Sequence, residues 1–250
     1  MIEPDRAKHL LSPQSVPEDI AALQHIAREK LAESAESVDV PAHLYVEYGD
    51  AAEVTKKIVR EQHIDAVVVG AHGHRGFKKL MLGSVAEAIM REVDCPVFVV
   101  RPSAENIPWD GALRHVLYAV EPHQETHEAL RYAIWIAEFN HALLTLLSVL
   151  PEAGPANVAR ARREAGRELL ANLFPDHNIP PYIRCRIEFS HSPLFTVINT
   201  AYELSADLLV LDVRRAEPWA AHLPDITYRI VGQSPCPLLS VRTHTGGRSM

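Results

Sequence analysis

The chain has 250 residues, which at roughly 150 residues per domain places it between one domain and two. With 47% hydrophobic and 23% charged residues it can build a sizeable core, and a disordered, collagen-like or coiled-coil chain is excluded. The 25 basic and 32 acidic residues leave a net charge of −7, without the basic footprint that phosphate-backbone binding requires, so neither nucleic acid nor an anionic membrane surface is the expected partner.

In chain order, Ser15 with Glu18 forms a capping box and Pro17 suits a first turn, so a helix is predicted there, with Ile20, Leu23, Ile26, Ala27 and Leu31 on one apolar face. Residues 42–48, AHLYVEY, alternate enough for a strand, and Gly49-Asp50 opens a helix over 50–63. Ala66-Val67-Val68-Val69 is a run fit for a strand buried on both faces, and it ends in Gly70. A glycine-bearing loop, a helix over 83–93 and a strand over 96–100 follow. Residues 102–112, PSAENIPWDGA, read as a linker. Strands over 115–120, 143–149, 182–189, 208–213 and 238–241 then alternate with helices over 125–141, 156–173, 194–205 and 225–233, before a polar tail. Such alternation predicts right-handed βαβ units around an open, mainly parallel sheet of the α/β class.

No apolar run approaches the roughly 18–20 residues that span a bilayer, and the start, MIEPDRAKHLLSPQ, has no continuous apolar stretch like a signal peptide. Cys95, Cys185 and Cys236 are too few and too scattered for a disulfide framework or a CxxC knuckle. A cytoplasmic protein with reduced, mostly buried thiols is expected.

The chain also repeats itself. Asp65-Ala-Val-Val-Val aligns with Asp207-Leu-Leu-Val-Leu at an offset of 142, and Cys95-Pro-Val-Phe-Val-Val-Arg101 with Cys236-Pro-Leu-Leu-Ser-Val-Arg242 at 141. Met1-Ile2-Glu3-Pro4 falls near Ser148-Val149-Leu150-Pro151, so the strand, helix and strand of 113–147 have no counterpart in the first repeat. A sheet lacking two strands exposes backbone edges and an apolar face. Two readings follow: the natural chain begins upstream of Met1, which we favour, or the strand-helix-strand of 113–149 serves the first repeat.

The chemically pointed segment runs from Val69 to Val85. Gly70, Gly73 and Gly83-Ser84 have the spacing G-x2-G-x9-G-S, beyond the carboxyl end of a parallel strand, where such folds bind ligands. Glycines there let backbone N–H groups approach a phosphate, the new helix offers free N–H groups and a positive dipole end, and the Ser84 hydroxyl adds a donor. The segment is neither a Walker A loop nor a GxGxxG fingerprint.

With the strand before it, the helix start Gly83-Ser84-Val85-Ala86-Glu87 and the ending Cys95-Pro96 to Arg101, this spacing resembles the ATP-binding motif of the universal stress protein family. The resemblance implies a flavodoxin-like or adenine-nucleotide α-hydrolase-like fold in tandem. Its first, incomplete domain would cover 1–102, a linker 103–112, a degenerate second domain 113–242 and a tail 243–250. It implies an ATP-binding regulatory protein of the stress response, with Mg2+ accompanying the nucleotide. Val69 and Gly70 would contact adenosine through the main chain, Gly73, Gly83 and Ser84 the phosphates, and His72 and Val85 would support them. Two departures stand out. The family's aspartate after its first strand has no counterpart here, and Glu121 is at best its substitute in the second repeat. There the loop is also lost: Asp212 replaces Gly70, Arg215 replaces Gly73, and Pro224-Asp225 replaces Gly83-Ser84, so no nucleotide is expected.

The second repeat would then act as a dimer-like partner, pairing edges around 97–100 and 238–241, within one chain or in a homodimer. The alternatives are a slow ATPase or nucleotidyl-transfer enzyme of the same superfamily, and an interaction or dimerisation module that binds no nucleotide. Lys78-Lys79 read as a solvated pair, His123 and His127 lack a third metal ligand, and the run Arg160 to Glu168 reads as the outer face of an amphipathic helix. No catalytic residue and no metal ligand is assigned, and the protein partner stays unidentified.

Overall fold

The alternation of strands and helices is what the chain adopts. The computed structural model describes residues 16–36, 40–71, 82–100, 112–120, 128–151, 158–214 and 226–243. It divides into two units, Met1–Asp50 and Ala51–Met250.

The first unit holds α1 (Val16–Glu36) and a segment, 40–50, without regular structure. The strand expected over 42–48 is therefore not formed. A strand exists only against a hydrogen-bonded neighbour, and the described part of this unit holds no other strand. Leu44, Tyr45 and Tyr48 are exposed as a result. The same stretch of the second repeat, Ile183–Phe189, is a strand because a neighbour lies beside it.

The second unit runs α2 (Ala51–Glu61), β1 (Val67–Gly70), α3 (Ser84–Glu92), β2 (Val97–Val100), β3 (His115–Val120), α4 (Glu128–Phe139), β4 (Leu143–Leu150), α5 (Val158–Leu173), β5 (Ile183–Phe189), α6 (Pro193–Glu203), β6 (Leu208–Arg214), α7 (Ile226–Gln233) and β7 (Leu238–Thr243). Its seven strands form one sheet in the order β1-β2-β7-β6-β3-β4-β5, with every pair parallel except β2 and β7. Because β3 pairs with β6 and β4, the strand-helix-strand of 113–149 belongs to the second repeat and does not serve the first.

The antiparallel pair joins the last strands of the two repeats, as the expected edge pairing required. Its register, Val97↔Ser240, Phe98↔Leu239 and Val99↔Leu238, centres on Phe98 and Leu239, which the repeat makes equivalent. The repeats therefore meet by a local two-fold, the self-complementary contact of a symmetric dimer closed inside one chain. Two side chains reinforce it. The Ser240 hydroxyl donates to the Val97 carbonyl at 3.2 Å, and Arg242 of β7 reaches Asp94 at 3.3 Å and the Met90 carbonyl at 3.2 Å.

Helices cover the sheet on both sides. One core packs Leu209, Leu211, Leu238, Val97 and Val99 against Val59, Ile89, Val197 and Val231 from α2, α3, α6 and α7. The other packs Val116, Tyr118, Leu144, Leu146 and Val210 against Leu130, Ile136 and Leu169 from α4 and α5. Full burial of each such side chain contributes about 1.5–3 kcal/mol. Cover is uneven. Val68 of β1 is 70% exposed whereas its counterpart Val210 is 0%, and Val100 is 38% exposed whereas Val241 is 2%. Burial on both faces, expected for the run 66–69, is therefore not met: Val68 faces outward on β1. Cys236 is buried, and burial pushes its thiol up to about 11; burial also raises Cys95 and Cys185.

Candidate functional site

The site is built where β1 ends. Gly70 pairs with Val100 at the last position of the ladder, and the next residue, Ala71, is wholly buried. The Ala71 N–H donates to the Val100 carbonyl at 2.8 Å, and the Ala71 carbonyl accepts from the Gly83 N–H at 2.8 Å. Both ends of the intervening loop are therefore tied to one point at the rim of the sheet. His72 and Gly73, along with Lys78 and Lys79, lie within that loop but outside the described residues.

Gly83 is the N-cap of α3, with extended backbone and no side-chain cap. Its carbonyl accepts the first intrahelical bond, from the Glu87 N–H at 3.0 Å. With the Gly83 N–H engaged by Ala71, the groups left without an intrahelical acceptor are the N–H groups of Ser84, Val85 and Ala86. Ser84 and Val85 are exposed, so this helix start presents backbone donors, a serine hydroxyl and the positive dipole end. The carboxylate of Glu87 in the first turn would oppose an anion, but Arg91 one turn on binds it at 2.8 and 3.1 Å, and the Arg91 guanidinium stacks on the Tyr228 ring of α7 at 4.2 Å. Val69, Gly70, Gly83, Ser84 and Val85 thus gather at one strand end. Ala71 was not foreseen: a lone alanine carries no pattern, and only its hydrogen bonds show that it roots the loop.

At the corresponding strand of the second repeat a carboxylate is bound within the repeat. Asp212, in the place of Gly70, accepts a short hydrogen bond from the Tyr118 hydroxyl of β3 and a longer one, 3.4 Å, from the Ala129 N–H in the first turn of α4. The carboxylate therefore already answers a helix N-terminus of its own repeat. Below it, Asp207 accepts from the Arg114 and His115 N–H groups at 2.7 and 2.9 Å and fastens β3 to β6. The His115 ring lies between the Leu204 carbonyl, 3.2 Å from Nδ1, and the Thr145 hydroxyl, 2.8 Å from Nε2, and burial holds its pKa below the usual imidazole value.

An open, mostly parallel seven-stranded sheet with helices on both sides defines the class: a Rossmann-like α/β protein. Comparison with known proteins agrees. The model of the universal stress protein family matches twice, at residues 2–101 and 112–242, and the chain belongs to that family. A universal stress protein of Methanocaldococcus jannaschii is 32% identical over 75 residues, which are 30% of this chain and 44% of the relative. A universal stress protein A homolog of Coxiella burnetii is 37% identical over 75 residues, 30% of this chain and 51% of the relative. These matches span about half the length of the relatives or less. A solved universal stress protein from Archaeoglobus fulgidus superposes with a TM-score of 0.68 at 17% identity, covering 94% of this chain and 81% of its own, and so shares the fold. Among the described residues no helix is long and apolar enough to cross a membrane.

Proposed function

We propose that the protein is a cytoplasmic, ATP-binding regulator of the stress response whose ligand site is the loop of the first repeat. The observation that carries this reading is the Ala71–Gly83 hydrogen bond, 2.8 Å, which holds the glycine loop shut at its base and leaves the N–H groups of Ser84, Val85 and Ala86 open for a phosphate. In this reading Val69 and Gly70 contact adenosine through the main chain, Gly73, Gly83 and Ser84 bind the phosphates, and His72 and Val85 support them. Mg2+ would accompany the bound triphosphate. The second repeat, its ligand end occupied by Asp212, serves as the partner that completes the sheet.

Calorimetric titration with ATP, with and without Mg2+, tests this. We expect saturable binding that weakens by about tenfold or more in Gly83→Asp combined with Ser84→Ala. Unchanged affinity in that variant overturns the site. A second reading, an interaction module without nucleotide, is supported by the exposure of Val68 and Val100, and absence of any ATP binding by the intact protein would favour it over the first.

A further inference from the structure

A groove remote from the loop runs along the outer edge of β5 beneath α5. It has a volume of about 470 Å³ and is lined by Arg162, Arg163, Arg167 and Arg186, with Glu188 the one acidic residue in the lining. That carboxylate is shared: Arg162 and Arg186 each donate to it at 2.8 Å, and Arg186 also reaches Glu203 at 2.6 Å. Glu164, on the same helix, is bound by Arg160 at 2.7 Å. Arg163 and Arg167 are exposed and have no recorded carboxylate among the described residues, so the groove holds a cationic surplus in a chain of net charge −7.

Among the described residues the backbone beside these arginines has no ladder partner on its outer side. There the sheet ends at β5, which pairs with β4 alone. The Ser190 N–H donates to Leu150 at 2.9 Å and the Tyr182 carbonyl accepts from Leu144 at 3.0 Å, so even-numbered residues turn their main chain towards β4. By ladder alternation Cys185, Ile187 and Phe189 turn theirs to the open side. Past Arg167 and Leu170 the groove continues into a mostly apolar stretch with Ala171, Phe174 and Ile179, about 340 Å³ in volume.

We propose that this edge takes up an extended acidic segment of a protein partner as an eighth strand, with carboxylates at alternate positions on Arg163 and Arg167 and an apolar side chain at the Leu170–Phe174 end. The spacing fits: alternate residues of a strand are about 6.6 Å apart, and residues one helical turn apart, like Arg163 and Arg167, about 6 Å. An added strand also satisfies the open N–H and carbonyl groups. A second copy of β5 is the wrong occupant, because it would bring the arginines of both copies together.

The probe is a fluorescent peptide of alternating valine and glutamate, about eight residues long, followed by anisotropy with the whole protein. We expect saturable binding that weakens with salt, falls by about tenfold or more in Arg163→Glu combined with Arg167→Glu, falls less in the corresponding Arg→Gln pair, and is lost when alternate peptide nitrogens are methylated. Circular dichroism of each variant confirms the fold. Absence of binding, equal binding of a valine–lysine peptide, or unchanged binding in the charge-reversed pair overturns the proposal. Indifference to methylation with competition by inorganic pyrophosphate makes this a small-anion site instead, and tighter binding of single-stranded RNA makes it a nucleic-acid site; either overturns it.

Discussion

The two repeats share one scaffold and differ at the end where a ligand would sit. In the first, β1 ends in Gly70 and the buried Ala71, and the helix that follows starts with N–H groups that have no acceptor within the helix. In the second, β6 carries Asp212 at the equivalent point, and that carboxylate is held by Tyr118 and by the start of α4. The carboxylate that meets the start of α4 in the second repeat has no equivalent at Gly70 of the first. The contrast extends to cover: Val210 is sealed beneath helices, and Val68, its counterpart, is exposed.

Four experiments break or sharpen this comparison. The largest effect is expected at the seam. Leu239, wholly buried opposite Phe98, costs about 2–5 kcal/mol on Leu239→Ala in urea unfolding; a cost below about 1 kcal/mol would show that the repeats do not share a core there. Next come the exchanged ligand ends. Asp212→Ala removes the carboxylate that binds the Tyr118 hydroxyl and the Ala129 N–H and costs about 1–3 kcal/mol, whereas Gly70→Asp changes stability by less than about 0.5 kcal/mol but weakens ATP binding by about tenfold or more. If Gly70→Asp binds ATP normally, the two ends are not functionally opposed. A matched pair follows: Val210→Thr buries a hydroxyl and costs about 1–3 kcal/mol, Val68→Thr stays within about 0.5 kcal/mol, and equal costs would refute the difference in cover.

The smallest effect concerns pH. His115 has a folded pKa below its unfolded value of about 6.5, so the unfolded chain takes up its proton first. The stability contributed by the neutral ring is complete above that value and declines as pH falls from it towards the folded pKa. Melting temperatures across this range should fall with acidification, and His115→Gln should flatten that part of the profile.

Most of the fold was legible because its signals are local. β-branched runs such as Val67-Val68-Val69 and the helix start at Gly83-Ser84 carry their periodicity and caps within a few residues, and Val67–Gly70 and Ser84–Glu92 formed close to where they were expected. Residues 42–48 misled for the converse reason: alternation shows that a segment suits a strand, but the neighbour that makes it one is elsewhere in the chain. At the candidate site, Gly70, Gly83 and Ser84 were legible from glycine spacing. The Ala71 clamp and the Tyr118–Asp212–Ala129 contact were not: the clamp is made by main-chain groups that leave no mark on residue type, and the contact joins residues up to 94 positions apart that share no motif.

The sequence by itself determined the α/β class, the tandem repeat and the glycine spacing between Gly70 and Ser84, because hydrophobic period, glycine pattern and self-similarity are properties of neighbouring residues. Tertiary structure alone decided that β3 and β4 serve the second repeat and that Asp212 is held from within its own copy. It also decided that an arginine-lined edge remains open at β5. These depend on which strand lies beside which, and long-range hydrogen bonds and packing select that arrangement among the several a local pattern permits.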